Sequence, residues 1–293
     1  MALLEILQTY STNEKCREIL TKLRWPEGVT CPRCAERQIC YLDSRKQFEC
    51  ASCSYQFSVT TGTIFNDTHL PLEKWFAATY LLCEAKKGIS ACQIQRTLGM
   101  SYKTAWYLCH RIRAAMAMVD KPMLDGIVEM DETYVGGKKR GGQLGRGCDK
   151  ELVIGIRKRN GDLRFFRAPN AQARTLNKFV EDNISEDVEV IMTDDFPAYK
   201  RGVGKFKDRH KTINHTKKIY VMGEVHTNTI ESAFSLLKRG IMGTWHHVSA
   251  KHLASYLEEM EFRFNRRKNQ DIFLDTLRHM ITAPALTFES LTA

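Results

Sequence analysis

Two hydrophobic periodicities divide the chain. Between Leu72 and Met116 apolar residues recur every three or four positions, which is the helical interval. Leu72 to Lys87 reads as one amphipathic helix, opened by Pro71 and closed near Gly88. Ile89, Ile94 and Leu98 keep the spacing, Gly99 marks a sharp turn, and Ser101 can cap a second helix holding Ala105, Leu108 and Ile112. From about Asp125 the pattern changes. GIVEMDETYVGG, ELVIGIRKRNG, LRFFRAP and VEVIMTDD are rich in β-branched and aromatic residues and read as strands. Gly161 with Asp162 marks a hairpin between the second and third of them. Residues 171–183 read as a helix leading into the fourth strand, a short strand is expected within HKTINH, and helices follow over 227–240 and 249–267.

Three antiparallel strands, a helix and a parallel strand give the order of a ribonuclease-H-like α/β fold. Three acids fall at informative places in it. Asp131 lies on the first strand, Asp194 ends the fourth, and Glu231 lies early in the 227–240 helix. Brought together, they form a carboxylate cage for two divalent metals, the equipment of phosphodiester chemistry. Hard ions such as Mg²⁺ and Mn²⁺ prefer such oxygen ligands. Strand alternation places Glu129 and Asp131 on one face and turns Glu132 away. Each acid taken singly reads as well as a solvated surface group.

The helix, glycine turn and helix around Gly99 form a helix-turn-helix pattern. Its second helix would offer Lys103 and Thr104 near the base edges, with Lys103, Arg111 and Arg113 within reach of phosphates. An ordinary helical hairpin with a solvated basic face is the alternative.

Charge and cysteines sharpen the picture. Lys and Arg outnumber Asp and Glu by 44 to 34, an excess that points to a polyanionic partner such as nucleic acid. The longest apolar stretch, near Trp75 to Cys83, is too short to span a bilayer, and no secretory signal opens the chain. Ten cysteines without such a signal suggest metal or free thiols and a cytoplasmic setting. Cys31 and Cys34 (CPRC) and Cys50 and Cys53 (CASC) are two knuckles separated by 15 residues. Two knuckles on a short hairpin make a closed tetrahedral site, which implies structural zinc.

These stretches, with MDETYVGGK, GRGCDKELVIGI, TDDFPAY and the long VHTNTIESAFSLLKRGIMGTWHHVSAKHLASYLEEMEFRFNRR, resemble a bacterial insertion-sequence transposase of the ISXO-like type. Such a protein has an N-terminal zinc ribbon and a DDE domain. The resemblance covers about residues 15–267 and implies Asp131, Asp194 and a third ligand in HTNTIES. The third position in this family is Glu or Asn, so Glu231 and Asn228 are both candidates. Lys238 follows Glu231 after six residues and completes an acid–acid–Glu–Lys pattern. The implied activity is cleavage at the ends of a mobile DNA element and joining to target DNA, with Mg or Mn at the acids. Double-stranded DNA is the implied partner, and holding two DNA ends implies at least a homodimer. The basic loop from Gly136 to Gly147, with Lys138, Lys139 and Arg140, fits a phosphate-contacting segment or a solvated linker. His226, His246 and His247 read as packing or surface residues. A zinc-ribbon DNA-binding regulator and a ribonuclease-H-like nuclease are the competing functions. The expected organisation is a helix and zinc ribbon over 1–60, a helical DNA-binding segment over 61–122, the catalytic domain over 123–270 and a C-terminal tail over 271–293.

Overall fold

The computed structural model describes residues 2–117, 121–136, 150–213 and 226–293. The chain divides into two compact units, one of residues 1–117 with 268–293 and one of residues 118–267.

In the first unit, α1 (Leu3–Thr9) and α2 (Asn13–Arg24) precede a small antiparallel sheet of β1 (Ile39–Leu42), β2 (Gln47–Cys50) and β3 (Gln56–Phe57). Cross-strand pairing sets Tyr41 opposite Phe48, and Phe48 opposite Phe57. Trp25 packs edge-on against both phenylalanines, giving this module a compact aromatic core. Helices α3 (Leu72–Glu84), α4 (Ala91–Leu98) and α5 (Tyr102–Met116) follow. The sequence signals for the α4–α5 corner act as expected. The Ser90 hydroxyl accepts from Gln93 N, Gly99 closes α4 in the left-handed region at φ 58°, and the Ser101 hydroxyl accepts from Thr104 N. The segment expected as a C-terminal tail instead forms α10 (Ile272–Thr282) and α11 (Phe288–Thr292). Helix α10 packs on α2, α3 and α5, with Thr79 and Cys83 of α3 bonded to Met280 and Thr276. The tail is therefore part of this unit's core, because its apolar stripe (Ile272, Phe273, Leu277, Met280, Ile281) needs a partner to cover it.

The second unit holds a five-stranded mixed sheet. Its strands are β4 (Leu124–Val135), β5 (Glu151–Lys158), β6 (Leu163–Ala168), β7 (Ile184–Asp194) and β8 (His210–Ile213), in the spatial order β6-β5-β4-β7-β8. β4, β5 and β6 pair antiparallel, whereas β7 pairs parallel to β4 and β8 parallel to β7. This is the ribonuclease-H-like order. One face packs on α6 (Ala173–Asn183) and α7 (Pro197–Gly202), with Leu176, Val180 and Tyr199 in that core. The other packs on α8 (Asn228–Gly240) and α9 (Leu253–Asn265), through Ile230, Phe234, Leu237 and Leu257. Gly155 of β5 lets α8 approach closely. A Cβ there would meet Ile230 Cδ1 and Phe234 Cζ at 2.7 Å. Among the described residues no helix is long and apolar enough to cross a membrane.

Candidate active site

The two aspartates meet where the central strands part. β4 and β7 pair in parallel as far as Glu129 with Met192. Two residues beyond that pair stand Asp131 and Asp194, on the same face by strand alternation. Asp131 Oδ1 accepts from Glu132 N at 2.8 Å, and Asp194 Oδ1 accepts from Phe196 N at 3.1 Å. These bonds fix each carboxylate where β4 and β7 part.

Glu132 corrects the sequence expectation. Its side chain leaves β4 on the opposite face, where the buried Tyr199 hydroxyl donates to its Oε2 at 2.5 Å. Yet one carboxylate oxygen from each of Asp131, Glu132 and Asp194 lies within 4.8 Å of the others. Past the last β4–β7 pair there is a gap between the strands, and glutamate is one methylene longer than aspartate, so it reaches the centre from the far side. Alternation predicts the face correctly but not the reach.

Glu231 stands at the margin of this group. It is exposed on the first turn of α8, and its Oε1 accepts from Thr227 Oγ1 at 3.0 Å. It is outside the close trio but near enough for its charge to act on Asp131. Asn228 opens α8 and is exposed, and Lys238 is exposed two turns beyond Glu231. Burial first, then the Glu132 carboxylate, pushes the Asp131 carboxyl up to about 8; Asp194 and Glu231 add to the rise, and the Glu132 amide opposes it. Crowded carboxylates of this kind repel one another, and a divalent cation relieves the repulsion. The donor set consists of hard oxygens, which fits Mg²⁺ or Mn²⁺.

The placement of α8 depends on a residue whose role the sequence did not reveal. Glu129 is 0 % exposed. Its Oε2 accepts from Thr229 N at 2.9 Å, Thr229 Oγ1 at 2.6 Å and Ile230 N at 3.0 Å, so it caps the N-terminus of α8 from the sheet face beneath that helix. Its Oε1 accepts from Arg159 Nε at 3.0 Å and Nη2 at 2.9 Å. Arg159 in turn donates to the His226 carbonyl at 3.2 Å. One buried carboxylate thus ties β4, the end of β5 and the helix that carries Glu231. The only sequence signal for it was the alternation that put Glu129 on the face of Asp131.

The four knuckle cysteines converge as expected. Cys31 and Cys53 Sγ are 3.7 Å apart, Cys34 and Cys50 3.5 Å, and Cys34 and Cys53 3.4 Å. Four sulfurs about 2.3 Å from one zinc would stand roughly 3.8 Å apart, so the set fits a closed tetrahedral ion. Ala35 and Ser54, at φ 61° and 53°, turn the chain back after each knuckle.

The helix-turn-helix candidates divide. Lys103 and Thr104 are exposed at the start of α5, with Lys103 Nζ 4.5 Å from the Phe288 ring centre. Arg111 and Arg113 do not face outward as expected. They are 4 % and 1 % exposed, and Arg111 donates to the Asn66 carbonyl at 2.6 Å while lying over Trp75. Asn66 and Trp75, from the segment that precedes α4, cover Arg111, while α10 also packs on α5 and the Tyr107 hydroxyl donates to the Leu286 carbonyl. Lys138, Lys139 and Arg140 lie outside the described residues.

Comparison with known proteins places two segments of the chain in known families. Residues 123–265 match the model of an ISXO2-like transposase domain, and residues 11–56 match a transposase zinc-ribbon domain. An uncharacterized protein in transposable element ISH50 of Halobacterium salinarum is 29 % identical over 276 residues, covering 88 % of this chain and 92 % of that one. Among solved structures, the Mos1 strand transfer complex matches at 11 % identity over 70 % of this chain and 74 % of that chain. The TM-score of this match is 0.30.

Proposed function

The chain belongs to the ISXO2-like transposases, a DDE-type family, and on that premise we propose that Asp131, Asp194 and Glu231 are its metal-binding acids, with Glu132 as a fourth carboxylate. The observation that carries this is the close approach of Asp131, Glu132 and Asp194 just beyond the last β4–β7 pair, with α8 bringing Glu231 to their edge.

Each residue has a distinct task. Asp131 faces α8 and lies on the same side as Asp194, so the two would hold divalent metal together. Tyr199 holds Glu132 and prevents its carboxylate from swinging out to solvent. Glu231 closes the side next to α8, and Lys238, on the same helix face, binds a DNA phosphate. Divalent metal bound there, Mg²⁺ or Mn²⁺, would activate the attacking oxygen and stabilise the leaving one. The residues themselves bind that charge and hold the phosphodiester in line. Zinc in the four-cysteine site is structural, because its closed ligand set leaves no position for substrate. Lys103 and Thr104 make contacts with the element's terminal DNA, and two chains hold two ends.

The test is a cleavage and strand-transfer assay on duplexes carrying the element's ends. Asp131→Asn, Asp194→Asn and Glu231→Gln should each lower both steps at least about a hundredfold, the scale of losing one charge-stabilising group, while retaining DNA binding. Wild-type joining by any of the three removes that residue from the metal site. Cleavage without joining in the wild type would instead indicate a nuclease.

A further inference from the structure

Helix α8 ends abnormally. After Gly240 it widens into a single π-helical turn, Ile241–Trp245. Next, His246 adopts φ 58° and ψ −44°, and His247 N donates to the Trp245 carbonyl at 2.6 Å. That is a γ-turn of the rare, strained hand at a residue with a Cβ. Such strain persists only where the surroundings enforce it, and it concentrates at ligand clamps.

Three contacts hold the hook. The Trp245 ring is buried and meets Tyr256 of α9 edge-on at 4.8 Å. Ile241 packs on the core beneath α8. His246 Nδ1 lies 3.0 Å from the Met242 carbonyl oxygen. Anchored at both ends, the hook lifts Met242 into solvent, where it is 77 % exposed, more than any other large apolar residue described. A Cβ on the next residue, Gly243, would meet nothing within 4 Å. Around this tip are cations and donors, since Lys238, Arg239, His246 and His247 are all exposed.

The hook is also in line with the carboxylate centre. Lys238 is seven residues and Met242 eleven residues beyond Glu231, so all three fall near one helix line. At about 1.5 Å of rise per residue the tip lies about 16 Å from Glu231. Along a DNA strand that advances about 3.4 Å per nucleotide, this is roughly five base steps.

We propose that the hook is a DNA wedge in which Met242 enters a base step roughly five nucleotides from the reacting phosphate. Lys238, Arg239, His246 and His247 hold the flanking phosphates. This assignment rests on the carboxylate centre being the reaction site. An exposed apolar tip ringed by cations suits a stacked polyanion better than an apolar protein surface. Methionine is among the side chains that proteins use as wedges, and the strained backbone keeps it from folding back.

The experiment uses the full chain on duplexes copying the gene's flanking DNA, with 2-aminopurine substituted at successive positions from the cut. In the wild type, fluorescence should rise most about five steps from the cut. Met242→Ala should lose that peak and bind about tenfold more weakly, equal to about 1.4 kcal/mol. Met242→Leu, which keeps an apolar wedge, should recover most of both signals. At 77 % exposure neither change threatens the fold. An unaltered profile and affinity in Met242→Ala overturns the proposal, as does a wild-type profile with no favoured position. The same measurements on Asp131→Asn separate the two readings. Retained unstacking with lost cleavage supports both, whereas continued cleavage removes the carboxylate assignment and the distance argument with it.

Discussion

Replacing Glu129 tests whether α8, the helix that carries Glu231, is held in place from the sheet. Glu129→Ala removes a fully buried carboxylate that accepts five hydrogen bonds, three from the start of α8 and two from Arg159. The Arg159 side chain, 15 % exposed, is left without this counter-charge. Breaking a buried ion pair from one side costs about 3–5 kcal/mol. The lost helix cap adds about 1 kcal/mol. A total of about 4–6 kcal/mol is a large part of the ~5–15 kcal/mol that stabilises a typical domain. At about 2–4 °C per kcal/mol for a unit of this size, Tm should fall by about 8–24 °C. Glu129→Gln keeps the shape and an acceptor for the cap but loses the charge facing Arg159, so it should cost less, about 1.5–3 kcal/mol. Denaturant unfolding gives the stability values. Strand cleavage measured well below each variant's Tm gives the functional cost. A shift of about 1 Å in Glu231 is enough for a loss of about a hundredfold in rate. Metal affinity should fall with it, whereas DNA affinity should not. Unfolding within about 1 kcal/mol of wild type, joined to normal cleavage by Glu129→Ala, would refute the reasoning.

Further outcomes follow from the same structure. In the metal-free protein the raised Asp131 carboxyl binds its proton more tightly when folded than when unfolded. Its contribution to stability is therefore present below the ordinary value of 3.8 and is lost as pH rises, completely past about 8. Thermal melts in EDTA across this window should show the decline, Asp131→Asn should flatten it, and Mn²⁺ should offset it increasingly as pH rises; a flat wild-type profile contradicts the account. Cys34→Ser should abolish the one zinc per chain measured by atomic absorption and expose residues 28–57 to protease, since the metal supplies much of such a module's folding energy. Gly155→Ala should cost about 1–3 kcal/mol by pressing α8 off the sheet, with Ile230 and Phe234 only 2.7 Å from the new methyl group. If its unfolding midpoint is unchanged, α8 is looser on the sheet than the packing implies.

The strands of the second unit were legible because alternation of apolar and polar residues is a local signal, and in the sheet Asp131 lies on β4 and Asp194 ends β7. Glu132 was not, because alternation specifies a face and not how far a longer side chain reaches through a gap. Glu129 looked like one more acid beside Asp131, and its partners Thr229 and Ile230 lie 100 and 101 residues away. Arg111 and Arg113 failed for a similar reason. Both are buried, and Arg111 is held by the Asn66 carbonyl and the Trp75 ring, distant partners that the spacing within α5 does not show.

That late return of the chain affects the order of synthesis. The first unit lacks α10 until Ile272–Thr282 has been made, although α2, α3 and α5, on which α10 packs, lie within the first 117 residues. The 150 residues of the second unit intervene. At about 5–20 residues per second their translation takes about 8–30 s, during which the α2–α3–α5 surface must wait unsealed while the sheet of the second unit can already assemble. The helical bundle that carries Lys103 and Thr104 is therefore sealed only when the chain is nearly finished, by the apolar stripe of α10 that is among the last segments to be made.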